Sequence, residues 1–231
     1  MRTLAIDTSL ASGSVAALDG DRSVCLPLGP AGRHATDVSA VLTTAASRLG
    51  WRIRDVELVA VVRGPGSFTG LRVGVATAKA IAWTSGARLV AVSGFAVSAR
   101  RTAAALGGEP PMAVAFDAGR GDVFAAWVAR TADGPHPWLV HPPVLESFDT
   151  WLAHLPRGCV ASGPALAVGR ERLEPRHDVR LPPVDACSGD ALDAGRLALA
   201  AASRGLHDDP GTLVPEYLRP SYADERLAGG G

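Results

Sequence analysis

The chain has 231 residues, 23 acidic and 23 basic side chains, and 47% hydrophobic residues. A chain of this size can build one large domain or two small lobes with a packed core. The zero net charge argues against a protein that grips nucleic acid by bulk electrostatics, and no apolar run approaches the length of a membrane span. Asp7 interrupts what would be the apolar core of a signal peptide. The cysteines are isolated, so we expect a cytoplasmic protein with reduced thiols.

The first half of the chain predicts strands and helices in the order β-β-β-α-β-α-β. Apolar runs indicate strands at 4–9, 14–18, 23–27, 58–62 and 89–92. A helix over 36–49 is predicted from apolar residues at three- and four-residue spacing, and Gly50 is placed to end it. A second helix, over 71–85, has Arg72 and Lys79 as its only charges. A helix that is apolar nearly all round is buried on more than one side. Either the core covers both faces or, as we favour, a partner covers one.

The second half repeats the pattern of the first. A connector at 102–111, rich in Ala, Gly and Pro, is the predicted lobe boundary. Beyond it, 112–117 is again an apolar strand that ends in an aspartate, and aligning Asp7 with Asp117 indicates an internal duplication. Further elements are predicted at 122–128, 138–140, 148–155, 158–162 and 190–203. We therefore predict an N-terminal lobe, 1–103, and a smaller degenerate lobe, 104–231, whose C-terminal tail packs back on the first.

A glycine-rich stretch, residues 63–70 (RGPGSFTG), lies between a predicted strand and the second predicted helix. Its glycines allow a sharp turn and a close approach to an anion or to another backbone. A phosphate-binding P-loop would need Gly-Lys-Ser/Thr, whereas Gly70 is followed by Leu71 and Arg72. Both interpretations, an anion site and a tight structural turn, stay open from the local sequence.

The two strand-end aspartates are the main candidates for chemistry. Asp7 and Asp117 could face each other across a cleft and hold a metal-bound nucleotide, or each could be a turn residue that accepts backbone hydrogen bonds. His34 and Asp37 could form a metal pair, but a helix cap is the favoured interpretation. No sequence motif of a hydrolytic active site is present. The candidate nucleotide or phosphate residues, which we regard as vestigial, are Asp7, Thr8, Ser9, Gly64, Gly66, Ser67, Thr69, Gly70, Asp117 and Gly119.

Several stretches together resemble the TsaB (YeaZ) family: 4–9 (LAIDTS), 63–74 (RGPGSFTGLRVG), 78–79, 90–93 (VAVS) and 217–220 (YLRP). The resemblance is dense over the first half and loose over the second. It implies an α/β protein with the actin-like (ASKHA) fold, built of two RNase H-like lobes. It also implies a role in forming threonylcarbamoyladenosine on tRNA.

The resemblance implies that the chain is a non-catalytic subunit of a complex. The implied partners are a TsaD-like catalytic subunit and a TsaE-like ATPase, with tRNA engaged only through the complex, no membrane, and a homodimer when the chain is alone. No cofactor is required by the chain itself, although ATP or ADP with Mg at the complex interface is compatible with the resemblance. The implied partner contacts use the first two helices and comprise Val38, Val41, Leu42, Ala45, Leu71, Val75, Ala76, Lys79, Ala80 and Trp83.

The chain departs from its catalytic relatives at two places. They carry a His-x-x-x-His metal motif just after the strand that matches 89–92, where this chain has Gly94 and Ser98. Their nucleotide-contacting glycine string is reduced to 162–165 (SGPA), in which Pro164 lacks a backbone donor. We therefore expect no catalytic residue, no metal site and no activity alone. Two alternatives remain: a nucleotide-binding enzyme, either an ATP-dependent transferase or a glycoprotease-like hydrolase, and a sugar-kinase-like enzyme.

Overall fold

The computed structural model describes residues 1–30, 33–131, 138–173 and 176–219, and within them the chain forms two five-stranded sheets. Helices cover both sheets, so the predicted α/β class is confirmed. In the part of the chain that the structure describes, no helix is both long and apolar enough to cross a membrane.

The first sheet has the strand order β3-β2-β1-β4-β5. Strands β1 to β3 are antiparallel neighbours, whereas β4 and β5 run parallel to β1. The predicted element order is confirmed, with α2 beginning three residues earlier than predicted because the Ser67 side chain accepts from the Gly70 N–H and caps the helix there. The bounds are β1 Thr3–Asp7, β2 Ser14–Asp19, β3 Arg22–Pro27, α1 His34–Arg48, β4 Leu58–Gly64, α2 Phe68–Ser85 and β5 Arg88–Ser93.

The second sheet repeats the central strands of the first. Antiparallel β6 and β7 with parallel β10 correspond to β1, β2 and β4, which is the pattern that an internal duplication predicts. Strand β9 and helix α5 were not predicted from the sequence. The bounds are β6 Met112–Gly119, β7 Asp122–Arg130, β8 Trp138–Val140, β9 Val144–Ser147, α4 Phe148–His154, β10 Val160–Ser162, α5 Leu166–Leu173 and α6 Ala191–Ala202.

Helix α3 (Gly94–Leu106) was not predicted from the sequence, and it corrects the predicted connector. Residues 102–106, predicted as the start of a linker, are the last turn of this helix. The helix ends at Gly107, whose φ of 66° is a left-handed conformation that glycine adopts without strain. The connection to β6 is therefore shorter than predicted.

The elements stack in five layers. Because side chains alternate along a strand, Leu4 and Ile6 face α1 and α2, whereas Ala5 faces a central layer of α3 and α6. The same central core includes Met112, Val114 and Phe116 of β6, and a third core joins the other face of the second sheet to α4 and α5. Helix α6 lies in the second half of the sequence but packs on the first sheet, where Gly195 brings it close to Leu18.

Candidate functional site

The glycine loop packs against the turn that follows β1. The Ser67 N–H donates to the Ser9 carbonyl at 2.8 Å, and the Thr8 Oγ1 donates to the Gly70 carbonyl at 2.7 Å. A Cβ on Gly66 would lie 2.7 Å from the Ser9 Cβ, and one on Gly70 would lie closer than 3.0 Å to the Thr8 carbonyl oxygen. The two glycines are thus required for close backbone-to-backbone packing, as in the structural-turn interpretation. Ser67 and Thr69 are exposed at the start of the helix.

Asp7 is buried in the same turn, with 5% of its surface exposed. The Ser9 N–H and Oγ–H both donate to Asp7 Oδ1, at 2.9 and 2.6 Å. Burial raises the pKa of Asp7, the two Ser9 hydrogen bonds oppose that effect, and the nearby Asp190 carboxylate adds to it. These contacts are those of a strand-end aspartate that closes a turn.

Asp117 and Gly119 lie elsewhere. Asp117 is exposed, and its Oδ1 accepts from the Gly119 N–H at 2.7 Å. Both residues line a cavity of about 230 Å³ whose walls, including Arg120 and Arg172, come entirely from the second half of the chain. The structure therefore brings Asp7, Thr8, Ser9, Gly66, Ser67 and Gly70 together and places Asp117 and Gly119 in a different setting. A nucleotide role for either group stays a prediction.

The position of the relatives' metal motif does not fit a metal ion here. A Cβ on Gly94 would lie 3.1 Å from the Phe116 ring and 3.3 Å from the Gly64 carbonyl oxygen, so the space for an imidazole is filled. Phe116 also packs edge-on against Phe95, with ring centroids 5.1 Å apart. Ser98 is buried, with 2% of its surface exposed. Within the described ranges, no three His, Cys, Asp or Glu side chains form a group that could hold a metal.

The stretch 162–165 (SGPA), where the catalytic relatives have their second glycine string, packs against the protein's own backbone. A Cβ on Gly163 would lie 2.6 Å from the Ala115 nitrogen, so the loop presses on β6. Pro164 has no N–H, and the Ala165 N–H donates to the Ala115 carbonyl at 3.1 Å. These two positions thus offer no free backbone donor to a phosphate.

His34 and Asp37 take neither predicted role. The N-cap residue of α1 is Arg33, and no described side chain caps that end. The helix-cap interpretation is therefore wrong. His34 is buried against Gly13, and its Nε2 has no hydrogen-bond partner among the described residues. Asp37 instead accepts from the Thr36 hydroxyl at 3.0 Å.

The predicted partner residues divide by exposure. Five of them are buried and cannot contact a partner in this fold: Val38, Leu42, Ala45, Leu71 and Val75. Val41 and Lys79 are half-buried. Ala76, Ala80 and Trp83 are exposed, as is Phe68, which was not predicted. We call Phe68, Ala76, Ala80 and Trp83 the α2 face; its two aromatic side chains are 38% (Phe68) and 64% (Trp83) exposed.

The C-terminal segment, residues 208–219, runs beside α2. It begins with Asp208, which exchanges hydrogen bonds with Leu89 and Ala91 of β5 at 2.7 Å each. The Glu216 N–H then donates to the Arg63 carbonyl at 2.7 Å, next to the glycine loop. Local sequence patterns did not identify these contacts. The sequence signals for this segment were the resemblance of 217–220 (YLRP) to the TsaB family and the apolar residues at 213, 214, 217 and 218.

Comparisons with known proteins match part of this chain. A family model described as TsaD, tRNA N6-adenosine threonylcarbamoyltransferase, matches residues 26–133. A tRNA threonylcarbamoyladenosine biosynthesis protein TsaB from Escherichia coli is 32% identical over 135 residues, which is 58% of this chain and 58% of that protein. The chain is thus similar to a TsaB (YeaZ) protein over 58% of its length.

Two further matches bear on the fold and on the catalytic relatives. This chain superposes on YeaZ from Pseudomonas aeruginosa with a TM-score of 0.77 and 23% identity, over 94% of this chain and 99% of that chain. The match supports the actin-like fold of two RNase H-like lobes. A tRNA N6-adenosine threonylcarbamoyltransferase from Rhizobium meliloti is 42% identical over 72 residues, 30% of this chain and 20% of that enzyme. The alignments thus span about three fifths of the TsaB relative and a fifth of the transferase.

Proposed function

We propose that the chain is the non-catalytic partner subunit of a complex that forms threonylcarbamoyladenosine on tRNA. In this proposal it binds and activates a TsaD-like, metal-dependent threonylcarbamoyltransferase, and a TsaE-like ATPase joins them. The names of the relatives supply the pathway. The observation that carries the partner role is the exposed apolar α2 face beside the glycine loop.

The α2 face suits a protein partner. A largely exposed tryptophan and two exposed alanines on one stripe form the kind of surface that is buried on association. The small residues allow another helix to approach closely, while the Trp83 ring offers a large contact area. Helix α2 has no acidic residue, so the face carries no negative charge that burial would penalise.

The absence of independent catalysis is supported by the filled metal position. Gly94 has no room for an imidazole beside Phe116, and Ser98 is buried. With no residues that fit the metal, we assign the transfer chemistry to the partner. The chain's own contribution is then to hold the partner in its active arrangement.

The direct test measures threonylcarbamoyl transfer to tRNA in three mixtures: this chain alone, the TsaD-like subunit with the TsaE-like ATPase, and all three. We expect activity only in the complete mixture. Activity from this chain alone, or full activity without it, would contradict the proposal.

A charge placed on the α2 face tests the surface itself. Ala80→Arg should abolish binding of the TsaD-like subunit in titration calorimetry, because an unpaired guanidinium would be buried. Ala104→Arg is a matched control, since Ala104 is an exposed alanine on α3, which lies on the opposite side of the first sheet. The proposal requires that the control binds as the unchanged chain does.

The alternative, a nucleotide-binding enzyme, makes a different prediction for the isolated chain. It requires tight binding of Mg-ATP that Asp117→Asn weakens. A titration of the chain alone with Mg-ATP that releases no heat counts against it. We further propose that, without its partner, the chain pairs with a second copy through the α2 face, which sedimentation equilibrium would detect as a dimer lost in Ala80→Arg.

A further inference from the structure

The C-terminal segment forms an aromatic stack with the first turns of α2. The Tyr217 ring lies on Phe68, with ring centroids 4.7 Å apart and ring planes tilted by 34°. The Arg72 guanidinium lies 3.9 Å from the Phe68 ring centroid, and Arg72 Nε donates to the Tyr217 hydroxyl at 3.0 Å. Tyr217 still exposes 40% of its surface, so the stack is fixed by internal contacts yet presents its rings outward.

A second junction lies at the other end of the α2 face. Lys79 Nζ donates to the Leu213 carbonyl at 3.0 Å and lies 5.7 Å from the Trp83 ring centroid. Leu213 is buried in the core beneath α2, whereas the next residue, Val214, is 68% exposed. Exposed apolar groups of the segment thus adjoin both ends of the α2 face.

The segment is anchored to both sheets. Arg63 and Glu216 form an ion pair at 3.4 Å beside the glycine loop. Arg219 reaches the β6–β7 hairpin, where it donates to the Ala118 carbonyl at 3.0 Å and to Asp122 at 2.8 Å. Tyr217 therefore lies between a fixed point on the first sheet and a fixed point on the second.

We propose that residues 213–217 are part of the docking surface for the TsaD-like subunit, with Tyr217 as a contact residue and Arg219 as a positioning residue. This inference rests on the proposed function. A protein partner fits better than a nucleic acid because Arg72 and Lys79, the only cations of α2, already donate to the segment. What the combined surface offers is apolar: Phe68, Ala76, Ala80, Trp83, Val214 and Tyr217.

The test titrates the full-length chain and its variants against the TsaD-like subunit. Tyr217→Ala should weaken binding about tenfold, the effect of losing one aromatic anchor near an interface centre. Tyr217→Phe keeps the ring and removes only the Arg72 hydrogen bond, so we expect binding to weaken roughly threefold. This variant also tests the contact if the alanine variant does not fold. Arg219→Ala should weaken binding roughly threefold without removing any contact group. The matched control is Trp127→Ala, an aromatic of similar exposure (38%) on the second sheet.

The outcomes separate this inference from the proposed function. If the unchanged chain does not bind the TsaD-like subunit, the proposed function fails. If Ala80→Arg abolishes binding but Tyr217→Ala binds as tightly as the unchanged chain, only the inference about the segment is overturned. It is also overturned if Tyr217→Ala weakens self-association alone, because the segment then serves a second copy. A tenfold loss in Tyr217→Ala with Trp127→Ala unchanged supports it.

Discussion

Replacing Gly70 with alanine tests why the glycine loop exists. The added Cβ would lie closer than 3.0 Å to the Thr8 carbonyl oxygen, whereas ordinary contact begins at 3.4 Å. The obstacle is backbone, which cannot rotate away as the end of a side chain can. The first turn of α2 must therefore move away from the turn after β1, although β1 is fully buried.

The size of the effect follows from what that movement breaks. Two hydrogen bonds join the loop to the turn, from Thr8 Oγ1 to Gly70 and from the Ser67 N–H to Ser9, and each contributes about 1 kcal/mol. Overpacking in a close contact costs about 1–3 kcal/mol, and the better helix propensity of alanine returns up to about 1 kcal/mol. We expect Gly70→Ala to lower the free energy of unfolding by about 2–4 kcal/mol.

Urea and thermal unfolding followed by circular dichroism would measure this loss. For a chain of this length, a loss of 2–4 kcal/mol lowers Tm by roughly 5–15 °C. Gly108→Ala is the matched control, because Gly108 has nothing within 4 Å of a Cβ, and it should change the free energy of unfolding by less than about 0.5 kcal/mol. If Gly70→Ala is as stable as the control, the backbone-packing explanation of the loop is wrong.

Three further substitutions or treatments test other buried groups. Burial raises the pKa of Asp7 in the folded chain above the unfolded value of 3.8. Protonated Asp7 therefore contributes its full stabilisation of the folded state below pH 3.8, and this contribution is lost as the pH rises through the folded pKa. Asp7→Asn, which cannot ionise, should therefore be more stable than the unchanged chain at pH 7 in urea unfolding, with a gain that shrinks toward pH 4. Asp193→Asn removes the buried negative charge that pairs with Arg100, at 3.4 Å, and with Arg101, at 2.6 Å. Since both arginines are partly exposed, we expect the free energy of unfolding to fall by about 2 kcal/mol in the same assay. Burial raises the pKa of Cys25 to about 11, so iodoacetamide at pH 8 should alkylate this thiol much more slowly in the folded than in the urea-unfolded chain, and rapid labelling of the folded chain by mass spectrometry would contradict this.

The strands and helices of the first half were predictable because each carries a strong local signal. Alternating or continuous apolar runs marked the strands, and Gly50 marked the end of α1. Helix α3 is the exception: it was not predicted at all, and its last turn lies in 102–111, a stretch rich in Ala and Gly that resembles a linker when its packing partners are unknown. Strand β9, with 4 residues, and helix α5, with 8, are too short to show a recognisable hydrophobic period. Strand β9 is defined by its pairing with β7, and α5 by its packing in the third core.

The site was harder to predict because its contacts span the chain. Local sequence could not decide between an anion and a backbone as the neighbour of Gly66 and Gly70, since the neighbour is a turn about sixty residues earlier. Helix α2 is apolar on nearly every side, so the pattern did not show which side the sheet covers. The family resemblance placed Leu71 and Val75 at the partner surface, and the apolar pattern could not correct it, although both side chains are buried. The position of Tyr217 depends on contacts with residues far away in the sequence, such as Arg72, and local patterns do not encode such contacts.

The exchange of α3 and α6 in the central layer has a consequence for how the halves depend on each other. Helix α6 is made from the second half yet covers the first sheet, while α3 comes from the first half and packs on strands of the second. A cut in the 107–111 connection would leave each fragment with one sheet face uncovered. The arrangement resembles domain swapping, except that the two halves that exchange a helix belong to one chain. Neither fragment should be cooperative alone, and mixing them should restore the complete architecture. We therefore expect the two duplicated halves to unfold together in a single transition.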